Sequence, residues 1–265
     1  MKVDYSVADE FHNNTKLTKE INLIKVGIEY EKELPIKKAY AINSKKININ
    51  KYKGNSLYDS VINRKSYTAT ELEVRIAISF DSFSDLMYYS YSTMGVKSYP
   101  IKTVPSAGAR YPCDLYIINF SIDSLEQGIY FWHPQECKLY MIKNGNYEKE
   151  LIDSVNSYNQ YDIKNASFGI AIIGNKRKTC GKYGNRGYRY LNMDIGYISQ
   201  NLYLISAYLE LSTRAIAGIY EEKFSALLNL TKEEDVFLLH LFGKSYKLPA
   251  ERLNLNEKDF FKNKK

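Results

Sequence analysis

A long stripe of apolar residues in the second half of the chain constrains the fold more than any other feature. Leucine and isoleucine recur there at alternating intervals of four and three residues, at Leu191, Ile195, Ile198, Leu202, Ile205 and Leu209. This spacing places their side chains on one face of an α-helix of about 20 residues. Gly196, Ser199 and Ser206 lie on the same helix, and such small residues would let another backbone approach closely. The helix therefore requires an extensive apolar surface, either a core or a partner helix.

Shorter segments on both sides of this helix show strand patterns as well as helix patterns. Strands are predicted over residues 114–120, 128–133, 138–142, 168–173, 213–218 and 236–243, the second and third as a hairpin. Helices are predicted from Asn55–Ser56 to about Arg64–Ser66, from Ser82 or Ser84 to Gly95, and over residues 221–230. The run FGIAII at 168–173 is continuously apolar, as in a strand buried on both faces. This mixture predicts an α+β fold rather than a doubly wound α/β sheet.

The composition is that of a globular protein, with 45% hydrophobic and 25% charged residues in a chain of 265. Residues 1–54 are rich in lysine and asparagine and contain Pro35, so we expect an irregular N-terminal arm before one folded domain over residues 55–265. No apolar run reaches the roughly 18 residues of a membrane span, and the first residues lack the apolar core of a secretory signal. We therefore expect a soluble, cytoplasmic protein, whose widely spaced cysteines are free thiols: Cys113, Cys137 and Cys180.

Neither a catalytic metal nor a serine nucleophile is supported by the sequence. His12, His133 and His240 are far apart, and none lies in a cluster with metal-ligand spacing. No GxSxG motif is present. His240 lies inside the apolar run VFLLHLFG and is predicted to be a core histidine satisfied by hydrogen bonds. We therefore expect no metal.

The segment GNKRKTCGKYGNRGYRY, residues 174–190, contains six cations, four glycines and three tyrosines. It does not fit a phosphate loop, because six residues separate Gly174 from Gly181 and Tyr183 stands at the Ser/Thr position. With a net charge of +7 at pH 7, a nucleic-acid patch is one alternative, in which cations meet phosphates and tyrosines stack on bases. A solvated basic loop is the other.

Three short segments suggest anion or ring binding. Two cations and a hydroxyl at a helix end, Arg64, Lys65 and Ser66, could hold a terminal phosphate or could form a charged surface turn. The small-residue turn Pro105, Ser106, Ala107 and Gly108 could approach a flat ring closely or could be an ordinary loop. Lys244, after the last predicted strand, is a further candidate phosphate ligand or a solvated lysine.

Taken in order, these segments resemble the SagB-type azoline dehydrogenases, a branch of the FMN-dependent nitroreductase superfamily. EFHNNTKLT resembles the FH-x-x-TKL opening of that branch, NRKSYT resembles the RRS-type phosphate motif, and PSAGARYP resembles PSAG-x-LYP. KYGNRGYRYLNMDIGYISQNLYL resembles a Lys-Tyr motif followed by RYRY-x-x-x-D-x-G-x-x-x-QN-L. The resemblance covers most of the chain. It departs from the pattern at Arg110, where the family usually has an aliphatic residue.

The resemblance implies a nitroreductase-like fold, with a central, mostly antiparallel sheet flanked by helices. It also implies a homodimer with FMN at the subunit interface and the Leu191–Leu209 helix at the dimer core. By resemblance, Arg64, Lys65, Ser66 and Lys244 would bind the FMN phosphate or ribityl chain. Gly218 would approach the flavin through its backbone, and four residues would line the isoalloxazine: Pro105, Ser106, Ala107 and Gly108.

The implied reaction is the oxidation of a thiazoline or oxazoline in a peptide to a thiazole or oxazole. It removes a proton from one ring carbon and a hydride from the next, so a base must face the flavin across the ring. Lys182 and Tyr183 match the Lys-Tyr motif, and either could be that base. The implied partners are a leader-bearing precursor peptide and a YcaO-type cyclodehydratase complex.

Two other functions remain open from the sequence. One is an NAD(P)H-dependent flavoreductase of the same fold, acting on dehydroalanine, nitro or quinone compounds. The other is a nonenzymatic binding module, which requires the basic segment 174–190 to be exposed.

Overall fold

The computed structural model describes residues 6–15, 56–67, 75–94 and 101–244. The helices of this part of the chain are α1 (Ser6–Thr15), α2 (Ser56–Asn63), α3 (Phe80–Ser90), α4 (Glu148–Asp153), α5 (Gln160–Asn165), α6 (Lys176–Tyr183), α7 (Arg186–Tyr208) and α8 (Glu221–Leu228). The strands are β1 (Thr93–Met94), β2 (Ile101–Lys102), β3 (Cys113–Asn119), β4 (Gly128–His133), β5 (Lys138–Asn144), β6 (Phe168–Asn175), β7 (Ser212–Ile216) and β8 (Glu234–Gly243).

The main sheet of the described residues has six strands in the order β5-β4-β3-β6-β8-β7, and β1 and β2 form a separate ribbon. Every neighbouring pair in the main sheet is antiparallel. The hairpin of β4 and β5 and the strands on either side of α7 and α8 confirm the predicted α+β class and the mostly antiparallel nitroreductase-like sheet.

Both faces of the central strand β6 are covered, because side chains alternate between two core clusters along it. Phe168, Ile170 and Ile172 belong to the cluster that includes α3 and α7. Ala171 and Ile173 belong to the cluster on the other face, with α4, α5 and α8. The prediction that the FGIAII run is buried on both faces is therefore confirmed.

The apolar stripe of α7 lies in the core of its own chain. Its residues Leu191, Ile195, Ile198 and Leu202 are buried and pack in one cluster with side chains of β3 and β6. The expectation that this stripe forms a dimer core is therefore wrong, because the sheet of the same subunit already covers it. The opposite side of α7 exposes Met193, Tyr197 and Tyr208.

Three further expectations differ from the structure. The helix expected from Ser82 or Ser84 begins at Phe80, because the Ser79 side chain caps it by accepting a hydrogen bond from the Ser82 amide. It ends at Ser90, and Gly95 lies outside the described residues. The N-terminal arm is not irregular throughout, since Ser6–Thr15 is helical and buries Ala8 and His12.

The predicted domain boundary at residues 54–55 lies outside the described residues. Among the residues that are described, no helix combines the length and the apolar character needed to cross a bilayer.

Candidate active site

The loop that follows β2 is fixed to α7 by a buried carboxylate. Ser106 Oγ donates a hydrogen bond to Asp194 Oδ2 at 2.6 Å and accepts one from the Tyr111 amide at 2.8 Å. Ala107–Ala109 forms a single 3₁₀ turn in which Gly108 has a φ of 58°. Burial raises the pKa of Asp194, although hydrogen bonds from Ser106 and the Ala107 backbone act in the opposite direction. The long helix thus determines the conformation of the predicted ring-binding turn.

The predicted catalytic pair lies against this turn. A Cβ atom added to Gly108 would collide with the Tyr183 hydroxyl and would lie 2.8 Å from Lys182 Nζ. Lys182 Nζ is 5.2 Å from the centre of the Tyr183 ring, and that ring packs edge to face on Tyr190 at 5.0 Å. The fold therefore brings Lys182 and Tyr183 into contact with Gly108, which is more than 70 residues away in sequence.

The predicted phosphate segment lies on another part of α7. Ser66 Oγ is 2.7 Å from Tyr203 Oη, and the Arg64 guanidinium lies 5.3 Å from the centre of the Tyr203 ring. Ser66 also bridges to Thr213 of β7. Tyr203 Oη accepts a hydrogen bond from the Ala215 amide at 3.0 Å, which ties the same tyrosine to β7.

The sheet register brings Lys244 to this edge. Lys244 directly follows Gly243 of β8, which pairs with Ser212 of β7. The next residue of β7, Thr213, bridges to Ser66. Lys244 is exposed, and Lys65 lies 5.3 Å from the centre of the Tyr67 ring. Three cations and a hydroxyl therefore approach one surface region, which is the composition of a phosphate site.

Gly218 lies two residues beyond β7. A Cβ atom there would lie 2.5 Å from Asn156 Nδ2 and 2.8 Å from Asn159 Nδ2. The Gly218 carbonyl accepts a hydrogen bond from the Asn156 amide at 2.9 Å. A side chain at residue 218 would therefore displace the two asparagine amides, and the approach of the Gly218 backbone to a flavin remains a prediction.

Lys102, to which no sequence motif points, contacts two tyrosines near the turn. Lys102 Nζ donates to Tyr91 Oη at 2.7 Å, and the Lys102 amide donates to Tyr111 Oη at 3.2 Å. Burial lowers the pKa of Lys102 to about 8, an effect opposed by the charge of Asp114. Asp194 was also missed, although it stands at the aspartate of the resemblance motif. Lys102 carries no such signal, since lysines are frequent throughout the chain.

The basic segment 174–190 is helical rather than a loop, because α6 and the start of α7 cover it. Lys176 is buried in ion pairs with Asp9 and Asp235, and Lys178 pairs with Asp114 at 3.0 Å. Arg110, the departure from the family pattern, is exposed and donates to the Lys178 carbonyl at 2.9 Å. Two of the six cations of the segment are therefore paired with carboxylates, while four are exposed: Arg177, Lys182, Arg186 and Arg189.

His240 is a core histidine, as predicted. It is fully buried, with Nε2 2.8 Å from Ser199 Oγ and Nδ1 3.3 Å from Thr213 Oγ1. Burial lowers the pKa of His240 to about 3, so the ring is neutral at physiological pH. Within the described ranges, no three His, Cys, Asp or Glu side chains are grouped as a metal site would require.

Comparisons with known proteins agree with this architecture. The chain is 29% identical to MJ1384 of Methanocaldococcus jannaschii, whose name places it among the nitroreductases, over 69% of this chain and 88% of that protein. It is 26% identical to the trifolitoxin-processing protein TfxB of Rhizobium leguminosarum bv. trifolii, over 49% of this chain but only 35% of TfxB.

Among solved structures, the fold is similar to a chain of the E. coli microcin synthetase McbBCD complex with truncated pro-MccB17 bound. The TM-score is 0.68 at 19% identity, covering 92% of this chain and 93% of that one. At this identity the likeness concerns the fold alone. The model of the nitroreductase family matches residues 93–244, which is more than half of the chain. This chain therefore belongs to the nitroreductase family.

Proposed function

We propose that the protein is an FMN-dependent dehydrogenase that oxidises thiazolines or oxazolines in a peptide to thiazoles or oxazoles. The observation that carries the proposal is the contact of Lys182 and Tyr183 with Gly108 of the small-residue turn. This contact places two groups capable of proton transfer beside the turn that the resemblance assigns to the flavin ring.

The residues present fit FMN. Arg64, Lys65 and Lys244 supply cations and Ser66 supplies a hydroxyl, as a terminal phosphate requires. The turn at Pro105–Gly108 has small side chains and a left-handed glycine, so its backbone is open to a flat ring. When bound, the flavin would supply the acceptor for the hydride that leaves the azoline ring.

The chain's own residues account for the proton. Lys182 or Tyr183 removes the proton from the ring carbon that was the α-carbon of the cyclised residue, while a hydride leaves the adjacent carbon. The ring loses two hydrogens in total and becomes aromatic. Ser106 and Asp194 hold the turn against which this pair is positioned.

The proposed partners are a leader-bearing precursor peptide and a YcaO-type cyclodehydratase complex. Two comparisons support this assignment. One similar structure belongs to a microcin synthetase complex with a truncated precursor bound, and TfxB is named for processing trifolitoxin. A peptide that has already been cyclised is the substrate that the proposed reaction requires.

The proposed enzyme is a homodimer that shares its flavin sites. Asp194 and Tyr203 are nine residues apart on α7, which is about two and a half helical turns. The ring-binding turn and the phosphate segment are therefore attached to opposite sides of this helix, and a second copy would bring them together. Around them, α2 and α7 expose apolar side chains that such a copy would cover: Leu57, Val61, Ile62, Met193 and Tyr197.

The first test is the visible spectrum of the purified protein, with identification of the chromophore released on denaturation. We expect an oxidised-flavin spectrum and released FMN. A colourless protein that cannot be reconstituted with FMN would contradict the proposal.

The second test separates chemistry from cofactor binding. Lys182→Ala and Tyr183→Phe should each retain FMN, while azole formation from a cyclised peptide falls by about 100-fold or more, as expected for loss of a proton-transfer group. Mass spectrometry measures the loss of two hydrogens per ring. Arg177→Ala, which changes an exposed cation on the same helix as Lys182, is the matched control and should remain active.

Full activity in both site variants would refute the assigned roles. Rapid bleaching of the flavin by NAD(P)H, together with no change in the cyclised peptide, would instead indicate the flavoreductase.

A further inference from the structure

The N-terminal helix α1 contacts the corner at which α6 ends and α7 begins. The Ala8 amide donates a hydrogen bond to Asn185 Oδ1 at 2.9 Å, and His12 Nδ1 lies 2.6 Å from Tyr188 Oη. Phe11 packs edge to face on the Tyr188 ring at 5.8 Å. Asn185 is two residues from Tyr183, so α1 holds the backbone that directly follows the proposed catalytic pair.

The same helix is anchored to β8 and to the start of α6 by buried charges. His12 Nε2 lies 3.2 Å from Asp235 Oδ1. Lys176 Nζ lies 3.1 Å from Asp9 Oδ1 and 3.2 Å from Asp235 Oδ2. His12, Lys176 and Asp235 are only 5%, 7% and 6% exposed. Because these groups are shielded from water, the charge of Lys176 is balanced by the two carboxylates beside it.

The imidazole of His12 joins the two halves of this network. Burial, with a contribution from the charge of Asp235, raises the pKa of Tyr188 to about 12, so the phenol keeps its proton. A protonated phenol beside Nδ1 can donate a hydrogen bond to it, while Nε2 faces the Asp235 carboxylate at 3.2 Å. The two ring nitrogens therefore face different elements, Nδ1 toward Tyr188 of α7 and Nε2 toward Asp235 of β8.

We propose that α1 is a positioning element for the Lys182–Tyr183 pair and that His12 is the residue through which it acts. This inference rests on the proposed function for its catalytic consequence, although the contacts between α1 and the corner do not depend on it. Without His12, the corner at residues 184–188 loses a hydrogen bond, and the last turn of α6 loses its fixed position against Gly108.

The test uses the full chain with His12→Ala, and Glu10→Ala as the matched control, since Glu10 is exposed on the same helix. In His12→Ala we expect faster amide hydrogen exchange over residues 181–190, in both FMN-free and FMN-loaded protein. We also expect FMN content to be retained, kcat for azole formation to fall about tenfold or more, and KM to change little, because positioning affects the chemical step. His12→Gln, which can still donate and accept, should recover part of kcat.

A second pair of variants keeps the inference testable if His12→Ala fails to fold. Asn185→Ala removes the acceptor for the Ala8 amide, whereas Asn185→Asp keeps an acceptor oxygen at the same atom. Asn185→Ala should lower kcat and speed amide exchange over residues 181–190. Asn185→Asp should keep kcat and the exchange rates close to those of the wild type.

Unchanged amide exchange at residues 181–190 in both His12→Ala and Asn185→Ala would overturn the inference. Faster exchange there with an unchanged kcat would also overturn it. Failure of the proposed function has a different signature. The wild-type protein would then leave the cyclised peptide unchanged, while the exchange measurements would still report whether α1 holds the corner.

Discussion

At the scale of single residues, burial shifts the pKa values of two titratable side chains, one on strand β8 and one on helix α7. His240 of β8 is fully enclosed, and desolvation favours its neutral form, with a pKa of about 3. Asp194 of α7 is also buried, and burial raises its pKa, but Ser106 and the Ala107 amide stabilise the charged form. The pKa of His240 is therefore lowered by burial alone, whereas hydrogen bonds oppose the effect of burial on the pKa of Asp194.

The state of His240 predicts how stability depends on pH. The native pKa of about 3 is below the ordinary value of 6.5, so below pH 6.5 the unfolded chain binds more protons than the folded one. The contribution of His240 is fully present above pH 6.5 and is lost as the pH falls toward 3, with a slope of up to about 1.4 kcal/mol per pH unit. Urea unfolding of wild type and His240→Gln at pH 7.5, 6.5, 5.5 and 4.5 measures this slope.

The substitution should flatten the decline of stability below pH 6.5, whatever its effect on stability at neutral pH. The two proteins should show parallel dependences above pH 7, which serves as the internal control. Equal slopes in acid would show that His240 is not the group that takes up the proton.

The sequence could identify residues that stand in a motif but not those that act through burial. The predicted site residues stand in short recognisable sequence motifs: Arg64, Lys65, Ser66, Lys182 and Tyr183. Lys102 and Tyr203 support the two halves of the site, and neither differs locally from the other lysines and tyrosines. Their roles arise from contacts with residues that are distant along the chain, such as Ser66 with Tyr203.

At the scale of elements, the junction of α6 and α7 depends on a glycine at the point of closest approach. A Cβ atom on Gly187 would lie 2.6 Å from the Cys180 amide nitrogen and 2.6 Å from the Thr179 carbonyl carbon. Because these are backbone atoms, no side-chain rotation can relieve the contact. The two helices can therefore meet only if residue 187 has no side chain.

Gly187→Ala should destabilise the protein by about 2 kcal/mol or more, since the helices must separate to admit the methyl group. Gly181→Ala is the matched control, because a Cβ atom there meets nothing within 4 Å. It should stabilise the helix by up to about 1 kcal/mol. Thermal unfolding of both variants measures the difference, and equal effects of the two substitutions would contradict the close approach.

This junction also shows why the sequence misrepresented segment 174–190. Four glycines and six cations in 17 residues are locally typical of a solvated loop. The segment forms two helices because Lys176 finds Asp9 and Asp235, and because Gly187 permits the close packing. In contrast, β6 and α7 were predicted closely, since their apolar periodicity is sufficient to specify both element and burial.

At the scale of the whole molecule, the six-stranded sheet of the described residues separates two cores, and α7 spans the face that carries the site. The proposed ring-binding turn contacts the proposed catalytic pair of the same chain, while the proposed phosphate segment lies on the other side of α7. Sequence motifs could suggest the ring-binding turn and the phosphate segment separately. They could not show that the two lie on opposite sides of α7, because that depends on the angle around the helix axis between Asp194 and Tyr203.

This separation predicts that two inactive variants complement each other in a mixed dimer. The first variant carries both Arg64→Ala and Lys65→Ala, which remove proposed phosphate ligands. The second carries Gly108→Val, whose side chain would fill the space occupied by Lys182 and Tyr183. Each variant alone should be inactive. Co-expressed chains that pair at random should recover about a quarter of wild-type azole formation, since half of the dimers are mixed and each mixed dimer has one intact site.

Gel filtration with light scattering provides the control, because the shared site requires a particle of twice the 30.7 kDa chain mass. If the chain were a monomer, or if mixed dimers formed without any recovery of activity, one chain would have to supply every flavin contact. The opposite faces of α7 argue against that arrangement, since a single flavin would have to reach around the helix that holds both halves of the site.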